Sequence, residues 1–165
     1  MEPLAALQAA PDDSLVGDSR EGWVTNRELL SRAHRYAAAL RQVVHADEAF
    51  VGILLPPSAT GVAAALAVVL ADRCPVFLNY TASREATAYA ISTCGLRRIL
   101  TDRAFAQAVN FPDLPILTDL ADWREAPEGL GELLALPAAE LRRRFFPGQG
   151  GGDPLRPGTV LFSSG

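Results

Sequence analysis

The stretch Phe50-Val51-Gly52-Ile53-Leu54-Leu55-Pro56-Pro57-Ser58 reads as a strand, a hard stop and a helix cap. A continuous apolar run suits a strand buried on both faces, the pattern of a parallel sheet. Two prolines end it, since neither carries an amide for a ladder. Ser58 then offers an oxygen to the free amides of a following helix. From there to about Ala71 the residues are small or apolar, so this helix is expected to be well buried.

The alternation continues downstream. Residues 75–78 form a second short apolar run, with Asn79, Tyr80 and Thr81 at its end. Ser83 can cap a helix over 84–94, and Gly95 sits where a left-handed C-terminal cap is expected. Residues 96–100 read as a third strand, Asp102 caps a helix over 103–109, and residues 115–117 read as a fourth strand. Helices of this length between short apolar strands imply right-handed crossovers. The expected fold class is therefore α/β, a mainly parallel sheet of about four to five strands with helices on both faces.

Upstream, residues 1–24 look like a preface, with turns at Asp12, Asp13 and Gly17 and a short strand at Gly22-Trp23-Val24. Thr25-x-x-Glu28 has the spacing of a capping box. Leu29, Ala33, Tyr36, Ala37, Leu40 and Val44 then fall on one helical face. Arg27, Arg32, Arg35 and Arg41 line the other, and are expected to be solvated.

Composition narrows the function. The chain has 165 residues, 49% hydrophobic and 21% charged, which suits one domain with a real core. A net charge of -4 disfavours nucleic acid or an anionic membrane as partner. All 15 basic residues are arginine, so chemistry that needs a lysine cannot be completed within this chain. Cys74 and Cys94 are too far apart for a C-x-x-C motif and no histidine cluster accompanies them, so neither a metal site nor a disulfide framework is expected. Two buried thiols in a reducing, cytoplasmic setting are the simpler reading. His34 and His45 read as solvated or capping side chains. Residues 1–10 lack the basic start of a signal peptide. The longest uncharged run, 51–71, is broken by Pro56, Pro57, Ser58 and Gly61, and what remains is shorter than the roughly 20 residues that span a bilayer.

Beyond Asp119 the pattern weakens. Residues 130–136 and 138–146 are candidate short helices, and Arg142, Arg143 and Arg144 suit the negative end of a helix dipole better than an anion site. Residues 147–158 hold Gly148, Gly150, Gly151, Gly152, Pro154 and Pro157; with no strand leading in and no helix following, they read as a linker. The last residues are Thr159-Val160-Leu161-Phe162-Ser163-Ser164-Gly165. A short buried strand at 160–162 is followed by two hydroxyls and a glycine, which is how a phosphate-binding loop begins. The chain thus divides into an α/β unit (1–146), a linker (147–158) and a terminal strand with the start of a loop (159–165).

In this order the segments resemble the N-terminal part of the adenylate-forming superfamily, which includes acyl-CoA synthetases and peptide-synthetase adenylation domains. Val24 to Leu29 resembles the family's Thr-Tyr-x-Glu-Leu helix start, with Asn26 in the tyrosine position. Val51 to Ser58 resembles its V-G-I-x-L-P-N-S strand and turn, with Pro57 where asparagine is common. Val69 to Asn79 resembles the segment ending P-x-x-L-N, with Arg73 and Cys74 in place of small residues. Asp153-Pro154 and the run from Thr159 to Gly165 resemble the approach to the phosphate loop. The strings Leu78 to Ala82 and Ile99 to Phe105 are most similar to the fatty-acyl branch, in particular the synthetase part of bifunctional acyl-acyl-carrier-protein synthetase/2-acylglycerophosphoethanolamine acyltransferases.

The resemblance implies a parent enzyme that uses ATP and Mg²⁺ to convert a carboxylic, expectedly fatty, acid into an acyl-adenylate. The acyl group then passes to the thiol of CoA or of a carrier protein. It implies that Ser163, Ser164 and Gly165 start the pyrophosphate cradle, and that the catalytic lysine, the Mg²⁺-linked glutamate and the adenine site lie further along the parent chain. On this reading the sequence is a truncated N-terminal subdomain with no catalytic or metal-binding residue of its own, inactive and without bound cofactor in isolation. Its partners are the rest of its own chain, the acyl substrate, the thiol acceptor, and a second copy through exposed sheet surface. Location is cytoplasmic, with membrane association only if the parent is a bifunctional acyltransferase. Two other readings compete: a stand-alone α/β interaction or regulatory module, and a small flavodoxin- or Rossmann-type domain. The latter is disfavoured because the turn after the first strand is Pro56-Pro57-Ser58 and not glycine-rich.

Overall fold

The run that begins at Phe50 becomes the middle strand of a five-stranded, wholly parallel sheet. The computed structural model describes residues 12, 13, 16–19, 21–112, 114–123 and 159–161. In chain order the elements are β1 (Val16–Asp18), β2 (Gly22–Val24), α1 (Asn26–Val43), β3 (Phe50–Leu54), α2 (Ala59–Leu70), β4 (Cys74–Phe77), α3 (Arg84–Thr93), β5 (Ile99–Thr101), α4 (Arg103–Ala108), β6 (Leu117–Asp119), a 3₁₀ turn (Leu120–Trp123) and β7 (Val160–Leu161). The sheet order is β6-β5-β3-β4-β7, and β1 and β2 form a separate antiparallel pair. The helices at 130–136 and 138–146 and the linker at 147–158 lie outside the described residues.

Period-two alternation divides the core between the two faces of the sheet. Val51, Ile53 and Leu100 face α1 and α2. Leu54, Val76 and Ile99 face α3 and α4. Where α1 meets α2, Ala33 and Ala37 share a fully buried cluster with Ala63, Ala64 and Ala67. Side chains this short let the two helices approach closely.

Each of the four described α-helices starts where its cap residue predicts. The hydroxyl oxygens of Thr25, Ser58 and Ser83 accept from the amides of Glu28, Gly61 and Ala86, and the carboxylate of Asp102 accepts from that of Phe105. Gly95 closes α3 with φ +57°, the left-handed conformation expected of it.

Three strands begin later or earlier than the apolar runs suggest. β4 starts at Cys74, because the Cys74 amide already donates to the Ala49 carbonyl (2.9 Å). β5 starts at Ile99 because the Leu96 amide is drawn back to the Ile91 carbonyl (2.9 Å) to finish the end of α3. β6 spans Leu117–Asp119 because a turn from the Leu117 amide to the Leu114 carbonyl (3.0 Å) precedes it.

Two side-chain expectations are corrected. His34 is only 3% exposed and belongs to the buried side of α1, which is wide enough to take it in beside the periodic apolar residues. The arginines are not simply solvated. Arg41 donates to the Leu70 carbonyl at the end of α2 (2.6 Å), and Arg32 pairs with Glu21 (2.5 Å). Of the two cysteines Cys74 is buried, as expected, while Cys94 is only half-buried; burial pushes the Cys94 thiol above its ordinary pKa.

Candidate functional site at the carboxyl ends of the strands

All five strands of the parallel sheet leave on one edge, and the polar groups of the turns collect there. At the exit of β3, the Ser58 hydroxyl donates to the Pro56 carbonyl (3.1 Å) while its oxygen accepts from the Gly61 amide (3.1 Å). The turn leaves no space at Gly61: a Cβ there would stand 2.8 Å from the Pro56 carbonyl oxygen. At the exit of β5, Thr101 Oγ1 donates to the Leu54 carbonyl (2.9 Å). At the exit of β6, an Asp119 oxygen accepts from the Ala121 amide (2.9 Å), and its carboxylate lies 3.8 Å from the Arg103 guanidinium.

The exit of β4 is organised around Asn79. Its Oδ1 accepts from both the amide (2.9 Å) and the hydroxyl (2.8 Å) of Thr81. The Ala82 amide returns to the Asn79 carbonyl (3.1 Å). Tyr80 then meets Phe105 edge to face, ring centres 5.2 Å apart. An asparagine two residues before a hydroxyl residue at a strand end is the pattern of a side-chain-closed turn, and that is the signal by which sequence reading could have singled out Asn79.

β7 sits against β4, with Val160 opposite Val76 and Leu161 opposite Phe77. The Thr159 hydroxyl anchors its start by donating to the Pro75 carbonyl (3.2 Å). The expected strand is thus present over Val160–Leu161, but it is not buried as expected: it lies at the edge of the sheet, with Val160 half-buried and Leu161 72% exposed. Ser163, Ser164 and Gly165 lie outside the described residues.

Two of the hollows at this edge border β3 and β4. A cavity of about 200 Å³ lies between the exits of β3 and β5, with Ser58, Thr60, Tyr36, Asp102 and Phe105 in its wall. It occupies the point where the strand order reverses, since β4 lies on one side of β3 and β5 on the other. A larger apolar groove of about 560 Å³ runs beside β4 along α2, walled by Leu55, Val62, Leu66, Phe77 and Tyr80, with Thr159 at its margin. Among the described residues, no group of three or more His, Cys, Asp or Glu side chains could hold a metal ion. No described helix is long and apolar enough to cross a membrane.

The sequence profile of the AMP-binding enzyme family matches residues 5–160. The chain belongs to that family. Solved structures agree on the fold. The nonribosomal peptide synthetase FmoA3, in its AMPPNP-bound form, superposes with a TM-score of 0.66 at 20% identity, over 74% of this chain and 13% of that one. A benzoate CoA ligase from Burkholderia xenovorans gives 0.61 at 20% identity, over 76% and 29%. O-succinylbenzoate coenzyme A synthetase from Bacillus subtilis, in complex with AMP, gives 0.61 at 23% identity, over 76% and 32%. The present chain therefore spans less than a third of each of these relatives. Among AMP-binding enzymes it corresponds to the N-terminal subdomain of the adenylate-forming fold.

Proposed function

We propose that this chain is the opening part of an ATP-dependent acid-thiol ligase. The parent activates a carboxylic acid, a fatty acid on the sequence resemblance, as its acyl-adenylate, and hands the acyl group to CoA or a carrier-protein thiol. Ser163, Ser164 and Gly165 begin the loop that holds the pyrophosphate end of ATP. The observation that supports this most directly is the family match over residues 5–160, which ends within β7, two residues short of Phe162. In the sequence, Ser163-Ser164-Gly165 come after Phe162, directly downstream of that strand.

The chemistry asks little covalent work of the protein. A carboxylate attacks the α-phosphorus of ATP, the bond to the pyrophosphate oxygen breaks, and pyrophosphate leaves with its electron pair. Backbone amides and hydroxyls of a glycine loop lower the barrier by holding the departing phosphates in place. Among the described residues no group of three or more His, Cys, Asp or Glu side chains could hold Mg²⁺. A lysine is also required by the family resemblance, and this sequence has none. The 165-residue chain alone is therefore proposed to lack adenylation activity and to reside in the cytoplasm. Alone it is also proposed to pair with a second copy through exposed sheet surface.

The test is ATP–pyrophosphate exchange by the full-length gene product against a panel of carboxylic acids, medium- and long-chain fatty acids included. Acid-dependent exchange by the full product and none by residues 1–165 is expected. Absence of exchange with every acid, in a folded full-length protein, would remove the reading.

A further inference from the structure

We infer that the cavity between the exits of β3 and β5 is a binding site for a small organic cation, a primary ammonium on a short hydrocarbon body. The cavity lies where the strand order reverses, the place where open α/β sheets bind their ligands. Its volume of about 200 Å³ is below the roughly 300–1,000 Å³ of sites that take drug-sized molecules, so the ligand is small.

The wall sets the sign of the ligand's charge. Two carboxylates, Glu21 and Asp102, line the cavity, and none of its described lining residues is basic. Glu21 is answered by Arg32 (2.5 Å). Asp102 is not. One of its oxygens accepts from the Phe105 amide (2.9 Å), and among the described residues no hydrogen bond or ion pair reaches the other. That oxygen can accept from an ammonium N–H. The starts of α2 and α4 bring partial positive charge to the same place. Each is already met, the Gly61 amide by Ser58 Oγ (3.1 Å) and the Phe105 amide by Asp102 itself. An anionic ligand would therefore sit against the full charge of Asp102. Tyr36, Leu55, Phe105 and Leu120 supply aromatic and aliphatic surface to the wall. Aromatic rings attract a cation through their quadrupole, and apolar groups cover its hydrocarbon part.

Saturation-transfer NMR titration of the full-length protein with n-propylammonium chloride makes the test, with n-propanol and sodium propionate as the neutral and anionic counterparts. The proteins are the wild type, Asp102→Asn, Phe105→Leu and Asp47→Asn. Asparagine caps a helix as well as aspartate does, so Asp102→Asn keeps the bond to the Phe105 amide and removes the charge. Asp47 is exposed, pairs with Arg97 and is absent from the cavity wall, so Asp47→Asn controls for net charge. The wild type is expected to bind propylammonium about tenfold more tightly than propanol or propionate, the weight of one hydrogen bond to a charged group. Asp102→Asn is expected to weaken propylammonium about tenfold and Phe105→Leu about threefold. Asp47→Asn is expected to stay within about twofold of wild type. Thermal melts identify the folded variants; should Asp102→Asn unfold, the wild type's preference among the three probes decides the matter. No binding of propylammonium, equal affinity for the three probes, or a folded Asp102→Asn that binds propylammonium as the wild type does would overturn the inference. The ligase reading stands or falls separately, by pyrophosphate exchange.

Discussion

Thr101 Oγ1 donates to the Leu54 carbonyl across 2.9 Å, tying the exit of β5 to the exit of β3 at the point where the strand order reverses. Thr101 is 2% exposed, so this bond is made away from water. Thr101→Val keeps the shape and removes the donor. It is expected to cost about 1–2 kcal/mol, the usual penalty for losing such a bond in a buried place. Urea unfolding should show a lower midpoint with an unchanged slope.

Gly52 lies in the middle of β3 because no side chain fits there. A Cβ would come 2.9 Å from Ile99 Cγ1, 3.1 Å from Leu96 Cδ1 and 3.3 Å from the Arg98 carbonyl oxygen. Neighbours on three sides, one of them backbone, cannot all give way. Gly52→Ala is expected to destabilise by about 1–3 kcal/mol. A thermal melt that matches wild type would show that β5 can move aside.

Arg41 reaches from the last turn of α1 to the carbonyl of Leu70 at the end of α2. It thereby supplies one of the acceptor groups at that helix end with a charged donor. Arg41→Met retains most of the apolar stem and loses the donor. A loss of about 1 kcal/mol is expected, since the guanidinium is exposed and water can replace part of the bond. Arg41→Lys is expected to recover only part of it, because a single ammonium on a shorter reach must find the same carbonyl.

Glu28 has a pH signature. The Thr25 amide donates to its carboxylate (3.0 Å), and so does the Thr25 hydroxyl (3.0 Å); the amide first and then the hydroxyl hold its pKa below the ordinary 4.5. A carboxylate with a depressed folded pKa adds stability that is fully present above its unfolded value. That contribution fades as pH falls from about 4.5 through the lower folded pKa. Glu85, lowered by its own backbone amide and then by the Ser83 side chain, acts in the same direction at the start of α3. Stability measured from pH 6 down to about pH 3 should fall less steeply in Glu28→Gln than in wild type. Identical acid limbs would show that the capping box contributes nothing there.

The sequence by itself determined the local architecture. Caps at Thr25, Ser58, Ser83 and Asp102 and the left-handed Gly95 were legible because each depends on atoms within about four residues along the chain. The doubly covered sheet was legible because uninterrupted apolar runs such as Val51 to Leu55 have no solvent-facing side to offer. The family-level motifs were legible for the same reason, since each lies within one strand and its turn. Only the tertiary structure decided where β7 goes. Its seat against β4 depends on pairings such as that between Thr159 and Pro75, 84 residues apart, and no local pattern encodes such a contact. The same holds for the burial of His34 and for Arg98 donating to the Val43 carbonyl 55 residues away. Hydrogen bonds and side-chain periods within a turn are written in adjacent residues, whereas the neighbours of a strand are chosen by which surfaces remain to be covered once the helices have packed.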